Sequence, residues 1–339
     1  MKTMRPLLPA IALLALPLVA LPGAAWAQVE PAGDPPADPG SILTIQIEND
    51  ALSVPGTDEL YTSGETLGYV GPTGQVPQFL SQFGHQIFGA GTQRMEFDLQ
   101  QVIFTPTDTQ VYDPNPHDMP YSGQLALHTS LIQDTTTTRS VAQVSVGVVG
   151  PASLAQSVQN GFHTLIGDTP NKGWHYQLHN EPTLDFLGGR IWRDDIGHAG
   201  PVDLQVLPSV TAQLGNTEIY AQAGGIVRFG QGLDSDFGPS IIQPGLNGTD
   251  AYTPTRRFVW YVFAGAEGRV VAHDIFVQGN DFQSSRSVPL TPLQGDLEVG
   301  AAAILYGFRL TATEVFETPQ FHHSAPAFQY GSIAISGRF

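Results

Sequence analysis

The sequence predicts an antiparallel transmembrane β-barrel of about 12 strands, with a short helix in an external loop. Three observations carry that prediction. Strand-like runs recur from residue 41 to the end of the chain, most of them near the roughly 9–11 residues that a tilted strand needs to cross a bilayer. Within each run one face is apolar and the other is built from Gln, Thr, Ser and Gly, the period-2 pattern of a strand with two different environments. No stretch after the N-terminal segment approaches the roughly 18 consecutive apolar residues of a membrane-spanning helix.

The elements follow in order. Lys2 and Arg5 precede an almost wholly apolar run over 7–21, broken by Pro9 and Pro17 and followed by Pro22. Ala25-Trp26-Ala27 then puts small residues where a signal peptidase reads. Residues 1–27 are expected to be a secretory signal cleaved before Gln28. Residues 28–40 (QVEPAGDPPADPG) read as a flexible lead-in. The barrel domain is expected over 41–339.

Thirteen candidate strands fall at 41–48, 61–70, 97–104, 124–132, 140–149, 175–186, 204–214, 218–229, 258–266, 270–277, 297–306, 308–315 and the C-terminal run. Single-chain bacterial barrels have even strand numbers, so one of the thirteen is false or merged and twelve are expected. The last run ends on an aromatic, Phe339. If the first strand starts in the periplasm, it reaches the outside near Asn49 and Asp50. The second returns from Tyr61, and 105–122 and 150–173 are then external by parity alone.

Residues 151–166 (PASLAQSVQNGFHTLI) break the β pattern. Pro151 suits a first helical position and Gly167 an exit. Leu154, Val158, Phe162 and Leu165 form an apolar stripe at helical spacing, and Gln159 and His163 are i,i+4 on an adjacent face.

Composition narrows the chemistry. The chain has 339 residues, no Cys and a formal net charge of −17. A disulfide scaffold, a thiolate metal site and a cysteine nucleophile are excluded. Without Lys2 and Arg5, 12 basic residues face 31 acidic ones, and Lys172 is the single lysine left. So acidic a chain is a poor nucleic-acid partner. The sequence has no Gly-x-Ser-x-Gly elbow, no His-Glu-x-x-His and no phosphate loop. Asn49-Asp50 could be an ordinary strand end, and Tyr61-Thr62-Ser63-Gly64 ordinary strand entry. What lifts them is the expected convergence at one rim with His163, a side chain that can take a proton from water near neutrality. A carboxylate, an amide, a hydroxyl and an imidazole together can hold a hard cation and activate a water.

These residues resemble the outer-membrane lipid A 3′-O-deacylase family. The matching pieces are Glu48-Asn49-Asp50, Tyr61-Thr62-Ser63-Gly64, Thr105-Pro106-Thr107-Asp108, Pro120-Tyr121-Ser122-Gly123 and 147–163 (GVVGPASLAQSVQNGFH). Gly173-Trp174-His175-Tyr176-Gln177, Asn180-Glu181, 265–269, Gly279-Asn280-Asp281-Phe282 and the closing strand extend the match. Ser63 stands where the family commonly has Asn, and His117-Asp118-Met119 replaces Asp-Asp-Arg. The resemblance implies a twelve-stranded barrel in the bacterial outer membrane, with the active site between wall and external helix. It implies calcium-dependent ester hydrolysis on lipid A in the outer leaflet. His163 would be the general base, and Asp50 and Asp168 would bear on calcium. Asn49 and Thr62 would support calcium, water or oxyanion, while Gln159 would orient the site. A monomer is favoured. The alternative is a non-catalytic barrel, either a pore or a relative that binds lipopolysaccharide.

Overall fold

A computed structural model describes residues 33–54, 57–240, 242, 249–322 and 327–339. The expected signal and residues 28–32 lie outside the described residues. The described residues form thirteen strands. β1 (Ile42–Asn49), β2 (Leu60–Val70), β3 (Thr92–Thr105), β4 (Ser122–Asp134), β5 (Thr138–Val149) and β6 (Glu181–Trp192) are followed by a short β7 (Asp194–Ala199). β8 (Val202–Gly215), β9 (Glu218–Gln231), β10 (Phe258–Asp274), β11 (Leu293–Leu305), β12 (Phe308–Glu317) and β13 (Phe328–Arg338) complete the sheet. The helices are α1 (Asp50–Ser53), α2 (Gln78–Phe88), α3 (Ala155–Ile166) and α4 (Ile275–Gln278).

Neighbouring strands pair antiparallel, β1 pairs with β13, and β6 pairs directly with β8. Twelve strands therefore close the barrel. β7 stands outside the closure, paired only with the start of β8. The thirteen expected runs contained one merger: 258–266 and the first part of 270–277 form a single 17-residue strand, β10, whose interior Gly265 and Gly268 imitate a turn, while 275–277 belong to α4. The strand expected at 175–186 lies six residues later, because residues 173–176 form a 3₁₀ turn and β6 runs from Glu181 to Trp192.

The barrel is turned inside out relative to a soluble one. On β1, Thr44, Gln46 and Glu48 are buried toward the lumen, while Leu43, Ile45 and Ile47 are 45%, 56% and 47% exposed. An outward apolar belt on every long strand is what a hydrocarbon solvent selects. Packed side chains close both ends of the lumen around a polar cavity lined by Gln46, Glu96, Asp98 and His128. The described residues of the connection between β9 and β10 enter the lumen from the end that carries both termini. Asp236 there pairs with Arg228, Asp250 with Arg309 at 3.3 Å, and Ser240 Oγ donates to Gln46 at 3.1 Å. At the far rim Phe104 stacks on Phe276 with ring centroids 4.3 Å apart, and Tyr61 meets Tyr330 edge-on at 4.8 Å.

Residues 33–40 lack regular structure but are fastened to the wall. The Asp38 carboxylate, 3% exposed, accepts from Arg94 at 2.9 Å and pairs with Arg338. Its backbone N–H donates to Thr73 Oγ1 at 3.1 Å.

Candidate functional site

The helix expected over 151–166 is in two pieces. Gly150 adopts φ 95°, and a Cβ there would lie 2.5 Å from the His179 backbone, so only glycine fits. Pro151–Ser153 forms a 3₁₀ turn, Leu154 takes a left-handed conformation at φ 64°, and α3 begins at Ala155. The helix lies on the outer face of the wall. Gln101, which alternates with the lumen-facing Gln100 and Val102, donates from Nε2 to the Ser153 carbonyl at 2.5 Å. Ala155 rests on Gly123, where a Cβ would come within 2.2 Å of the alanine methyl. The buried side of α3 carries Ala155 and Gln159, with His163 half-buried after them. Leu154, Val158, Phe162 and Leu165 point away from the wall and are exposed. The apolar stripe thus faces the surroundings and the polar stripe faces the protein, the reverse of a soluble amphipathic helix.

Between α3 and the wall the polar residues of three segments meet. Asp58, in the α1–β2 connection, is the centre. Its Oδ1 accepts from Gln159 Nε2 at 2.7 Å, its Oδ2 accepts from Asn171, and His163 Nε2 stands 3.8 Å from that same oxygen. Trp174 Nε1 donates to Gln159 Oε1 at 3.0 Å. An indole can only donate, so this bond fixes which end of the amide faces the carboxylate. Asn160 accepts the Asn171 N–H at 2.8 Å and holds that loop against α3.

His163 Nδ1 lies 3.1 Å from the Thr169 carbonyl oxygen. A carbonyl only accepts, so Nδ1 carries the hydrogen and Nε2 presents its lone pair toward the site. Thr62 is the extra residue of a β-bulge: Tyr61 pairs with Phe104 and Ser63 with Ile103, leaving Thr62 unmatched. Its hydroxyl is 2.7 Å from Thr105 Oγ1, and Thr105 in turn donates to the Asp58 carbonyl at 3.1 Å. Thr62 then spends its only hydrogen on Thr105 and keeps lone pairs to offer.

Asn49 is the N-cap of α1, its Oδ1 accepting the Ala51 N–H at 2.8 Å. That cap sets Asp50 in the first turn. Asp50 is 3% exposed. Its Oδ2 accepts the Glu59 N–H at 2.8 Å, while its buried Oδ1 has no hydrogen-bond partner among the described residues. Burial pushes the Asp50 carboxyl up to about 7; the Asp58 charge adds to the rise, and the Glu59 and Ala51 N–H groups oppose it. Burial also raises Asp58 above the ordinary aspartate value, against the pull of Asn171, His163 and Gln159, and the charge of Asp168 adds to the rise. Asp168 itself is exposed, with Oδ1 accepting the Thr169 N–H at 2.6 Å.

The structure therefore brings His163, Gln159 and Thr62 around Asp58, places Asp50 within electrostatic reach, and leaves Asp168 at the exposed edge. Sequence reasoning missed Asp58 and Asn171. Both lie in irregular connections whose residues carry no periodicity, and the Asp58 segment is held by bonds to residues distant in sequence, such as Thr105 and Gln159. A further acidic group was missed too: Glu96, Asp98 and Asp250 face the lumen with ligand atoms within 4.8 Å of one another, a buried cluster that could hold a metal ion. Asp250 already has Arg309 as a counterion.

Known proteins bear on this arrangement. The family described as outer membrane protein LpxR matches residues 10–339. Among solved structures, LpxR from Salmonella typhimurium is similar with a TM-score of 0.73 at 21% identity, over 88% of this chain and 100% of that one. The β domain of the Bordetella autotransporter BrkA follows with a TM-score of 0.44 at 11% identity, over 89% and 99%. No curated protein matches the chain. With nearly its whole length matched, the chain belongs to the outer membrane protein LpxR family, the lipid A 3′-O-deacylase family that its motifs resemble.

Proposed function

We propose that this outer-membrane barrel is a lipid A 3′-O-deacylase, cleaving the 3′-linked acyloxyacyl ester by calcium-dependent, histidine-activated attack of water. The observation that carries the reading is the lone pair of His163 Nε2 aimed into a pocket of oxygen ligands on the outer face of the wall, where lipid lies.

The donors suit calcium. Asp50 Oδ1 is a buried carboxylate oxygen with no partner among the described residues, and the Asp58 carboxylate and Thr62 hydroxyl are further oxygens of the hard type that calcium selects. Asp50 and Thr62 would hold the ion, with Asp58 and Asp168 adding negative charge around it. Calcium bound there supplies a fixed positive charge for the ester carbonyl oxygen.

The chain's own residues do the rest. His163 Nε2 removes a proton from water as the water oxygen attacks the acyl carbonyl carbon. The Asp58 carboxylate faces the positive ring that results. When the tetrahedral carbon collapses, the bond to the sugar oxygen breaks and that oxygen takes the proton back from His163. The products are the acyloxyacyl chain as a free carboxylic acid and a 3′-hydroxyl. Asn49, its carbonyl oxygen committed to the cap, has amide N–H groups to offer the developing oxyanion, a contribution worth roughly 3–4 kcal/mol for one good donor. Gln159 holds Asp58 in place. Lys172, next to Asn171 and exposed, is suited to a substrate phosphate. All these residues come from one chain, so a monomer suffices.

Mass spectrometry of lipid A incubated with the purified barrel tests this. Acyl loss should require calcium and stop with chelator, and His163→Ala should slow it by about 10²–10⁴-fold. Undiminished loss in that variant would overturn the assignment. The packed ends of the lumen give the pore alternative no support.

A further inference from the structure

α2 has no place in the site, and its residues point the wrong way for a soluble protein. It connects β2 to β3 at the end of the barrel that carries both termini, opposite the catalytic rim. Its one buried residue, Gly84, packs on Gln93, Leu131 and Gln133, where a Cβ would meet side-chain atoms at 2.5–3.3 Å. These three residues face outward. Each alternates with a lumen-facing neighbour: Arg94 bonds Asp38 within the barrel end, and Ile132 packs with Ala251 and Tyr252 of the internal plug. α2 therefore leans on the outside of the wall. Gln93 Nε2 donates to the Ser81 carbonyl at 3.1 Å, and Gln133 Nε2 donates to the Gly89 carbonyl at 3.0 Å, so two outward glutamines dock the helix.

The flank of α2 beside the docked side carries Phe79, Phe83 and Ile87 at i, i+4, i+8, centred roughly 100° around the helix from Gly84, and they are 70%, 47% and 56% exposed. The helix has no Lys, Arg, Asp or Glu. α3 is built to the same plan on the same two strands, docked by outward Gln101 with its apolar stripe turned away. Gln93 and Gln101 are eight residues apart on β3, about 26 Å along the strand at 3.3 Å per residue. Between them lie the outward Phe97 and Leu99. Tilted by about 35–45°, that span projects to roughly 20 Å, most of the height of a lipid-facing band about 25 Å tall.

We propose that α2 is a membrane-interfacial helix, with Phe79, Phe83 and Ile87 inserted among the acyl chains of inner-leaflet phospholipid. Its apolar face continues the lipid-facing belt of β3 and β4 at the inner boundary, as α3 bounds it outside. Together the two helices fix the depth at which the barrel rides.

The absence of cysteine makes the test direct. Single cysteines at Phe79, Phe83, Ile87, Gln82 and Gln86 are spin-labelled in the full-length barrel, reconstituted in phosphatidylethanolamine–phosphatidylglycerol vesicles. Collision with oxygen is compared with collision with a water-soluble nickel complex. Labels at 79, 83 and 87 should match a control at the lipid-facing Leu127, with the oxygen-to-nickel ratio falling at 82 and 86. Heat-modifiable gel migration shows that each variant is folded. Nickel access at 83 equal to that at 82 would place the helix in water, and shielding of 79, 83 and 87 from both reagents would mean a protein partner; either result overturns the proposal.

Discussion

At the scale of single residues, the site turns on which atoms are already committed. Trp174 and Asp58 take both ends of the Gln159 amide, so this residue orients rather than reacts. Gln159→Glu puts a third carboxylate against Asp58 and removes a donor. It should lower deacylation by about tenfold or more while leaving the barrel folded, read as acyl release against heat-modifiable migration. Asp50→Asn keeps the shape of the buried side chain and removes its charge. Calcium binding, read by isothermal titration, should weaken at least about tenfold. The residues that the proposed mechanism uses stand in short motifs at strand ends or at i,i+4 on a helix, which makes them readable in sequence. Asp58 is not. It carries no spacing signal, and its importance arises from Gln159 and Asn171, which lie more than a hundred residues away in sequence.

At the scale of elements, the site exists because α3 can approach the wall. Gly123 leaves the space that the Ala155 methyl fills. Gly123→Leu should lift the helix and abolish acyl release with the barrel still formed, whereas Ala155→Gly should be nearly neutral for seating; limited proteolysis in the α3 segment reads the difference. Other motifs turn out to be fasteners. Asn280 donates to the His179 carbonyl at 2.9 Å and to Glu181 at 3.0 Å, and Asn180 accepts the Ala152 N–H at 2.7 Å, tying two outer loops to the start of the α3 segment. The strands were legible from alternation, since each face meets a different medium. β10 was divided in the reading because Gly265 and Gly268 mimic a turn signal that pairing with β9 and β11 overrides. α2 went unread, though Phe79, Phe83 and Ile87 carry helical spacing, because neither its sequence nor strand parity marks it as functional.

At the scale of the whole molecule, both ends of the lumen are packed, so the barrel should show no steady conductance in planar bilayers at the level of an open porin. The closing of β1 against β13 is clamped by Asp38, Arg94 and Arg338. Burial alone would raise the Asp38 carboxyl, but hydrogen bonds from Arg338, the Gly40 N–H, Arg94 and Thr253 outweigh it and hold the group well below the usual aspartate value. A depressed folded value means that the clamp stabilises fully above the unfolded value of about 4 and is lost as pH falls below it. Asp38→Asn should therefore cost about 3 kcal/mol at neutral pH, with the difference from the parent shrinking in acid, as followed by urea unfolding in detergent. The twelve-strand total followed from the even-number rule, which foresaw the merger without saying where it lay.

The central claim is that the first hairpin's acid and the helix imidazole serve one site on the outer face of the wall. The double variant Asp50→Asn/His163→Ala, compared with each single variant by rate of acyl release from lipid A, tests it most directly. Residues that act as a unit are strongly non-additive, so the double variant should be no slower than the worse single one. Losses that multiply, or a His163→Ala protein that deacylates at the parent rate, would contradict the account.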